Sequence, residues 1–289
     1  MTDRHIMRHA GGEVTVENGE VVDATEPLVQ WCPLKKKVYG RDTIHTKEFI
    51  KEIVRYKIVK VGMFTKDRIV ESDTDLVPYG ASEMLMCART HDIIDCAVLA
   101  CDGAGTVIAT TPRLIQGIGE WMGGLIETSP IAEVIERINN AGGIVIDPVD
   151  AGIDQLEGVR KAFEHGFKRV AVTVAGRHAA LLPELRRVER QNGGTLVVLM
   201  ICNTGVEAGG AESMVEHADM VWACASKAVW EIVGPKAIVQ IGVSIPVFVL
   251  TDAGKEIVEK RAETIDRHAA LFTENLPHLV AHCCPRPLL

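Results

Sequence analysis

The sequence predicts an α/β protein: a largely parallel, Rossmann-like sheet with helices on both faces, preceded by a small N-terminal β-hairpin and helix region. Three observations carry this reading. From about residue 70 onward, short runs rich in Val, Ile and Leu alternate with amphipathic segments of helical period. Several of those runs end in glycine-containing turns. The 289 residues are 47% hydrophobic, 24% charged and 4% aromatic, a balance that suits a folded soluble domain and excludes a disordered or collagen-like chain.

The elements follow in order. Residues 12–24 alternate with period two and turn over at Glu17-Asn18-Gly19-Glu20, where Asn-Gly supplies the positive φ angles of a two-residue hairpin. A polar loop bounded by proline and glycine covers 31–40, followed by a helix at 46–57, a strand at 58–63 and an irregular stretch at 65–79. A division near residue 70 separates an N-terminal region, 1–70, from an α/β domain, 71–289. In that domain the predicted strands are 95–101, 143–146, 169–174, 195–202, 220–224, 237–241 and 246–250. The predicted helices are 81–90, 131–140, 156–165, 178–191, 211–217, 227–233 and 253–267. Residues 276–289, with three prolines and the adjacent Cys283-Cys284, read as an irregular tail or a strap on the surface.

Charge and composition narrow the function. A net charge of −8 opposes the phosphate neutralisation that drives general nucleic-acid binding. Apolar runs are too short to span a bilayer, and residues 1–20 contain no apolar core of a secretory signal, so a cytoplasmic protein without membrane partners is expected. Eight cysteines in a chain long enough to build its own core are expected as free thiols, mostly buried.

Four glycine turns suggest where a ligand would sit: Cys101-Asp102-Gly103-Ala104-Gly105-Thr106, Val174-Ala175-Gly176-Arg177, Cys202-Asn203-Thr204-Gly205 and Thr251-Asp252-Ala253-Gly254-Lys255. Open α/β sheets bind ligands outside the carboxyl ends of their strands, where glycine lets backbone N–H groups approach an anion. The expected ligand-binding set is Asp102, Gly103, Gly105, Thr106, Gly176, Arg177, Asn203, Thr204 and Gly205, with Asp102 as the candidate catalytic base. Each turn taken singly is equally readable as a tight connection. No loop matches an NAD, FAD or ATP signature. The run Gln116-Gly117-Ile118-Gly119-Glu120-Trp121-Met122-Gly123-Gly124 interrupts a helical pattern, which suits either close packing or a mobile flap.

No Cys-x-x-Cys pair is present. Cys96 and Cys101 lie five apart on one predicted strand and therefore face opposite sides. Cys32, before Pro33 and the run Lys35-Lys36-Lys37, leads the candidates for a reactive or metal-binding thiol, and Cys101, Cys202 and Cys224 all fall at strand ends. An alternative reading therefore assigns metal binding to Cys32, Cys101 and Cys202.

Taken together, Cys32-Pro33, Gly103-Ala104-Gly105-Thr106, Gln116-Gly117-Ile118-Gly119, Glu127-Thr128-Ser129-Pro130-Ile131 and the stretch Asp154-Gln155, Gly158-Val159, Lys161-Ala162-Phe163-Glu164 and Gly166 resemble the methanogenesis marker protein 8 family, over about residues 12–260. The resemblance implies an accessory role in anaerobic one-carbon or methyl metabolism, and no particular chemistry. Three readings follow: a site for a small anionic metabolite, catalytic or not; a redox or metal-handling accessory holding iron, nickel or an Fe–S cluster; and a structural partner of a methyltransferase or reductase assembly. A homodimer is the general expectation for a soluble protein of this size.

Overall fold

In the computed structural model, which describes residues 3–40, 42–265, 270–280 and 282–289, two sheets organise the chain. Strands β1 (Arg4–His9), β2 (Gly12–Glu17) and β3 (Glu20–Ala24) form an antiparallel meander. The predicted two-residue turn joins the last two, with Asn18 and Gly19 both at positive φ. The strand before it, β1, was not predicted. Its buried face is His5, Met7 and His9, so histidines carry the alternation that aliphatic side chains would normally show.

Helix α1 (Pro33–Tyr39) replaces the predicted loop, with proline in its first turn and Gly40 left-handed at its end. Helix α2 (Lys47–Val61) runs through the stretch predicted as a strand at 58–63. Phe49, Ile50, Ile53, Val54, Lys57 and Val61 share one buried face at helical period, and burial of that face outweighs the strand preference of the β-branched residues. The Thr46 hydroxyl caps the start by accepting from the Phe49 amide at 3.2 Å. Gly62 stops the helix at φ 69°, and a Cβ there would stand 2.3 Å from the Asp67 carbonyl oxygen.

The rest of the chain supplies α3 (Ala81–Thr90), β4 (Cys96–Cys101), β5 (Gly105–Ala109), α4 (Pro112–Gly119), β6 (Gly124–Thr128), α5 (Ala132–Asn140), β7 (Ile144–Val145) and α6 (Gln155–Glu164). These are followed by β8 (Arg169–Ala175), α7 (Leu182–Asn192), β9 (Thr195–Ile201), α8 (Ala208–His217), β10 (Met220–Trp222), β11 (Val239–Ile241), β12 (Val247–Val249), α9 (Asp252–Thr264) and β13 (Leu271–Phe272). A π-helical turn (Val229–Val233) stands where a helix at 227–233 was predicted. The predicted helix 253–267 is observed to Thr264; Asp266 and Arg267 lie outside the described residues.

The larger sheet is mixed, which corrects the largely parallel expectation. Its order is β13-β11-β12-β10-β9-β8-β4-β5-β7, and only the ladders among β4, β8, β9 and β10 are parallel. The outer strands pair antiparallel; β4–β5 and β11–β12 are joined by short connections, whereas β5–β7, β10–β12 and β11–β13 pair across longer stretches of chain. Asp102–Ala104 is such a connection: Cys101 pairs with Gly105 across it, so this glycine turn joins two strands and not a strand to a helix.

Helices do cover both faces. One core joins α3, α4, α5 and α9 to the sheet through Leu85, Leu114, Val134 and Ile257. The other joins α6, α7 and α8 through Val159, Leu185 and Met214. Cys101 belongs to the first core and Cys96 to the second, on opposite faces as their spacing requires. A third core lies between the N-terminal sheet and α2. Strand β6 completes that sheet by pairing with β1, giving the order β3-β2-β1-β6. The glycines of α4 are sites of close packing: a Cβ on Gly117 would lie 2.3 Å from the Val70 carbonyl oxygen, and one on Gly119 would lie 2.6 Å from Ser82 Cβ.

The C-terminal segment is a strap. The Arg286 carbonyl accepts from the Gln30 and Trp31 amides at 2.8 and 3.0 Å, and the Arg286 guanidinium lies 4.7 Å from the Trp31 ring centre. Leu289 exchanges backbone bonds with Ala225 and Lys227. Among the described residues no helix is long and apolar enough to cross a membrane.

Candidate functional site

The parallel strands β8, β9 and β10 end side by side, and a cavity of about 220 Å³ opens above their carboxyl ends. Its floor is Ala175 at the end of β8 and Arg177 beyond it, Cys202 and Thr204 after β9, and Cys224 and Ala225 after β10. Its roof comes from the N-terminal sheet, through Arg8, His9, Gly123 and Gly124, and from Cys32 and Lys35 of the α1 segment. Pro285 of the strap contributes one side.

The charge around this space has one sign. Arg8, Lys35 and Arg177 line it, with no Asp or Glu in the lining, and none of the three forms an ion pair with a carboxylate among the described residues. Arg8 reaches only the Gly11 carbonyl, at 3.5 Å, and the exposed Arg177 donates to His178 Nε2 at 2.8 Å. Lys35 Nζ meets His9 Nε2. Burial lowers the Lys35 pKa to about 8, against the pull of the Cys32, Cys202 and Cys224 sulfurs nearby. His9 is held well below its ordinary value, first by burial and then by Lys35 and Lys57. Behind it Lys57 is buried, donates to the Trp121 carbonyl at 2.7 Å, and has its pKa lowered to about 7, chiefly by desolvation.

Three cysteines from distant parts of the chain line the same cavity: Cys32 at the start of α1, Cys202 after β9 and Cys224 after β10. Burial raises the Cys202 thiol and pushes the Cys224 thiol up to about 12. Cys202 and Cys224 both adopt positive φ, 54° and 47°, which is uncommon for residues with a side chain. Among the described residues no three His, Cys, Asp or Glu side chains form a group able to hold a single metal ion.

Of the residues expected at a ligand site, Arg177 and Thr204 line the cavity, together with Cys32 and Cys202 of the alternative set. Gly205 is adjacent at φ 75°. Asn203 is buried beneath the floor and donates to the Met200 and Trp222 carbonyls at 2.9 and 2.8 Å, while Gly176 lets the chain pass close to its amide oxygen. The turn after β4 lies elsewhere. Asp102 is fully buried: Oδ1 accepts from Arg68 Nε at 2.9 Å and Oδ2 from the Phe64 amide at 2.6 Å. The Gly103 amide donates to Thr128 Oγ1, Thr106 Oγ1 donates to Gln155 Oε1, and Gly105 packs on the Ala151 backbone. Those four residues brace the turn, and none lines the cavity. Cys101 also stands apart, in the core with its thiol donating to the Asp102 carbonyl at 3.3 Å.

Sequence reasoning missed Arg8, His9, Lys35 and Gly123-Gly124 as parts of a site, and left Cys224 outside the metal set. Lys35 had a local signal, one helical turn beyond Cys32. Arg8 and His9 had none, because β1 reaches the cavity only by pairing with β6.

The fold and cavity together define an α/β protein with a mixed sheet and a cation-lined cleft at its strand ends. The chain belongs to the family described as "Uncharacterized protein conserved in archaea (DUF2099)", whose model matches residues 5–263. It is 44% identical over 290 residues to "Uncharacterized protein MJ0054" of Methanocaldococcus jannaschii, covering 99% of this chain and 100% of the relative. A chain of the xenon-derivatised F420-reducing nickel–iron hydrogenase complex from Methanosarcina barkeri superposes with a TM-score of 0.36 and 17% identity, over 69% of this chain and 77% of that one. That likeness is too slight to carry an argument.

Proposed function

We propose that this protein binds a small anionic ligand, such as a carboxylate- or phosphate-bearing metabolite, in the cavity above β8, β9 and β10. One observation carries the reading: Arg8, Lys35 and Arg177 surround a single space that has no carboxylate in its lining. Cations held there repel one another, and an anion relieves the repulsion while accepting charge-assisted hydrogen bonds. Thr204 adds a hydroxyl donor on the floor. The relative in a methanogenic archaeon, with the resemblance to the methanogenesis marker protein 8 family, supports an accessory role in anaerobic one-carbon or methyl metabolism.

Titration calorimetry with inorganic phosphate, sulfate and citrate tests the site. Hydrogen bonds to charged groups contribute about 1.5–3 kcal/mol, so Arg8→Ala is expected to weaken the best of these anions by about ten- to a hundredfold. The more exposed Arg177→Ala gives the lower end of that range, and the melting temperature is unchanged in either variant. Absence of binding by all three anions, or wild-type affinity in both variants, overturns the reading.

A further inference from the structure

The lining of the cavity narrows which anion it takes, and this step rests on the cavity being an anion site. Most of that lining is apolar, with Val29, Ala225, Ile245 and Pro285 standing among the cations. A small acid with a short hydrocarbon body covers such a surface while its carboxylate meets the charges. At about 30 Å³ per water in the liquid, a cavity of about 220 Å³ has room for about seven non-hydrogen atoms. The cations are of two kinds. Arg8 and Arg177 keep their charge at any ordinary pH and suit a carboxylate. The Arg177 pKa is lowered first by burial and then by Arg8, and Arg8 Nη2 lies 3.9 Å from where a Cβ on Gly205 would stand, so both guanidinium groups sit over the strand ends. Lys35 is a primary amine, with Nζ against His9 Nε2 and no carboxylate in the lining. A lysine in an apolar pocket beside other cations sheds its proton readily and becomes a nucleophile. Burial brings Lys35 to about 8, which leaves a neutral fraction near neutral pH.

We propose that the cavity takes a short oxo acid, a carboxylate whose carbonyl lies on a neighbouring carbon, and that Lys35 Nζ captures it as an imine while Arg8 and Arg177 hold the carboxylate. Nζ attacks the carbonyl carbon, a C–N bond forms, and the carbonyl oxygen departs as water. Both hydrogens of that water come from the Nζ amine, relayed to the oxygen by His9 Nε2. No electron is gained or lost, so the step needs no oxidant or reductant. His9 suits the relay because burial, and then the charges of Lys35 and Lys57, keep its ring neutral with Nε2 already at the amine. The next two lysines in the chain provide a comparison. Lys36 and Lys37 are exposed, Lys36 pairs with Asp42 at 2.6 Å, and neither lines the cavity.

Borohydride reduction of the full chain mixed with pyruvate or 2-oxobutyrate, followed by proteolysis and mass spectrometry, tests the assignment, since hydride fixes an imine as a stable secondary amine. The expected result is an adduct on Lys35, heavier by the mass of the neutral acid less one oxygen atom, with Lys36 and Lys37 left unmodified. This measurement on the wild-type chain needs no variant. Acetone, which offers the carbonyl without the carboxylate, should label Lys35 about tenfold less or weaker still at equal concentration, and Arg8→Ala should lower the yield from pyruvate by a similar factor. Lys35→Arg keeps the positive charge and abolishes the adduct. No adduct on Lys35 with either acid overturns the proposal, as does labelling of Lys36 or Lys37 to the same extent, or equal labelling of Lys35 by acetone. Calorimetry with phosphate, sulfate and citrate on the unreduced chain separates the two readings. Anion binding without an adduct removes only the imine, whereas failure of every anion together with no adduct removes the anion site itself.

Discussion

Removing the Asp102 carboxylate is expected to cost stability and to leave the cavity intact. Asp102 and Arg68 are both 0% exposed, and Nε and Oδ1 stand 2.9 Å apart. At an effective dielectric of about 20, that separation corresponds to an attraction of about 6 kcal/mol, against which the desolvation of both ions must be set. Asp102→Ala removes the attraction and keeps much of the desolvation, because the Arg68 guanidinium stays buried with only the Ile69 and Ile118 carbonyls to accept from it. Breaking a buried pair in this way costs about 3–5 kcal/mol, and the orphaned Phe64 amide adds about 1–3 kcal/mol. The total is a large part of the about 5–15 kcal/mol that holds a typical domain folded. Urea unfolding followed by circular dichroism should show the midpoint falling steeply, with a thermal midpoint lower by roughly 10 °C or more. The double variant Arg68→Met, Asp102→Leu should recover more than half of the loss, since an apolar pair of similar volume leaves no uncompensated charge. A loss below about 1 kcal/mol for Asp102→Ala, or no recovery in the double variant, would refute the bracing argument.

Other outcomes follow from the same geometry. Gly117→Ala gains about 1 kcal/mol of helix propensity but drives a Cβ into the Val70–Glu71 backbone, so a net loss of about 1–3 kcal/mol is expected in urea titrations, and a stabilised variant would point to a flap in place of close packing. Thr106→Val keeps the volume but strips a hydroxyl that accepts from the Asp154 amide at 2.7 Å and donates to Gln155, which predicts a loss of about 2–4 kcal/mol with phosphate affinity unchanged. Burial holds His45 at a pKa of about 4, and His9 lies well below its ordinary value. The unfolded chain therefore takes up protons near pH 6.5 while the folded chain does not, so stability falls as pH drops from about 6.5 toward 4, by up to about 1.4 kcal/mol per pH unit for each histidine. His45→Gln should flatten that slope in unfolding curves at pH 5 and 7, and an unchanged slope removes His45 as a contributor.

Much of the architecture was legible because local patterning and burial agreed. The strands 95–101, 169–174 and 195–202 each begin on a polar residue and are then almost entirely apolar, as strands covered on both faces should be, and each appears nearly where the sequence places it. Asn18-Gly19 fixed its hairpin through backbone conformation alone. Reading failed where tertiary contacts outweighed local preference. Ile58, Val59 and Val61 favour a strand by type, yet Lys57 and Val61 complete a helical stripe packed on the N-terminal sheet. Strand β5 was hidden because Gly103 and Gly105 look like a strand-to-helix turn until Cys101 is seen to pair with Gly105.

The sequence by itself determined the α/β class, the buried strands, the free thiols and the presence of Arg177, Thr204, Cys32 and Cys202 as candidates, because periodicity and residue chemistry are local properties. Only the tertiary structure decided which candidates meet. Strand β1 pairs with a strand some 120 positions away and so carries Arg8 and His9 over the ends of β8, β9 and β10. Asp102 and Cys101 look like site residues in one dimension and lie in the core in three, because β4 continues into a hairpin instead of stopping at the cleft. Whether a charged or sulfur-bearing side chain faces ligand or partner depends on strand order and on contacts between distant segments, and neither is written in the spacing of neighbouring residues.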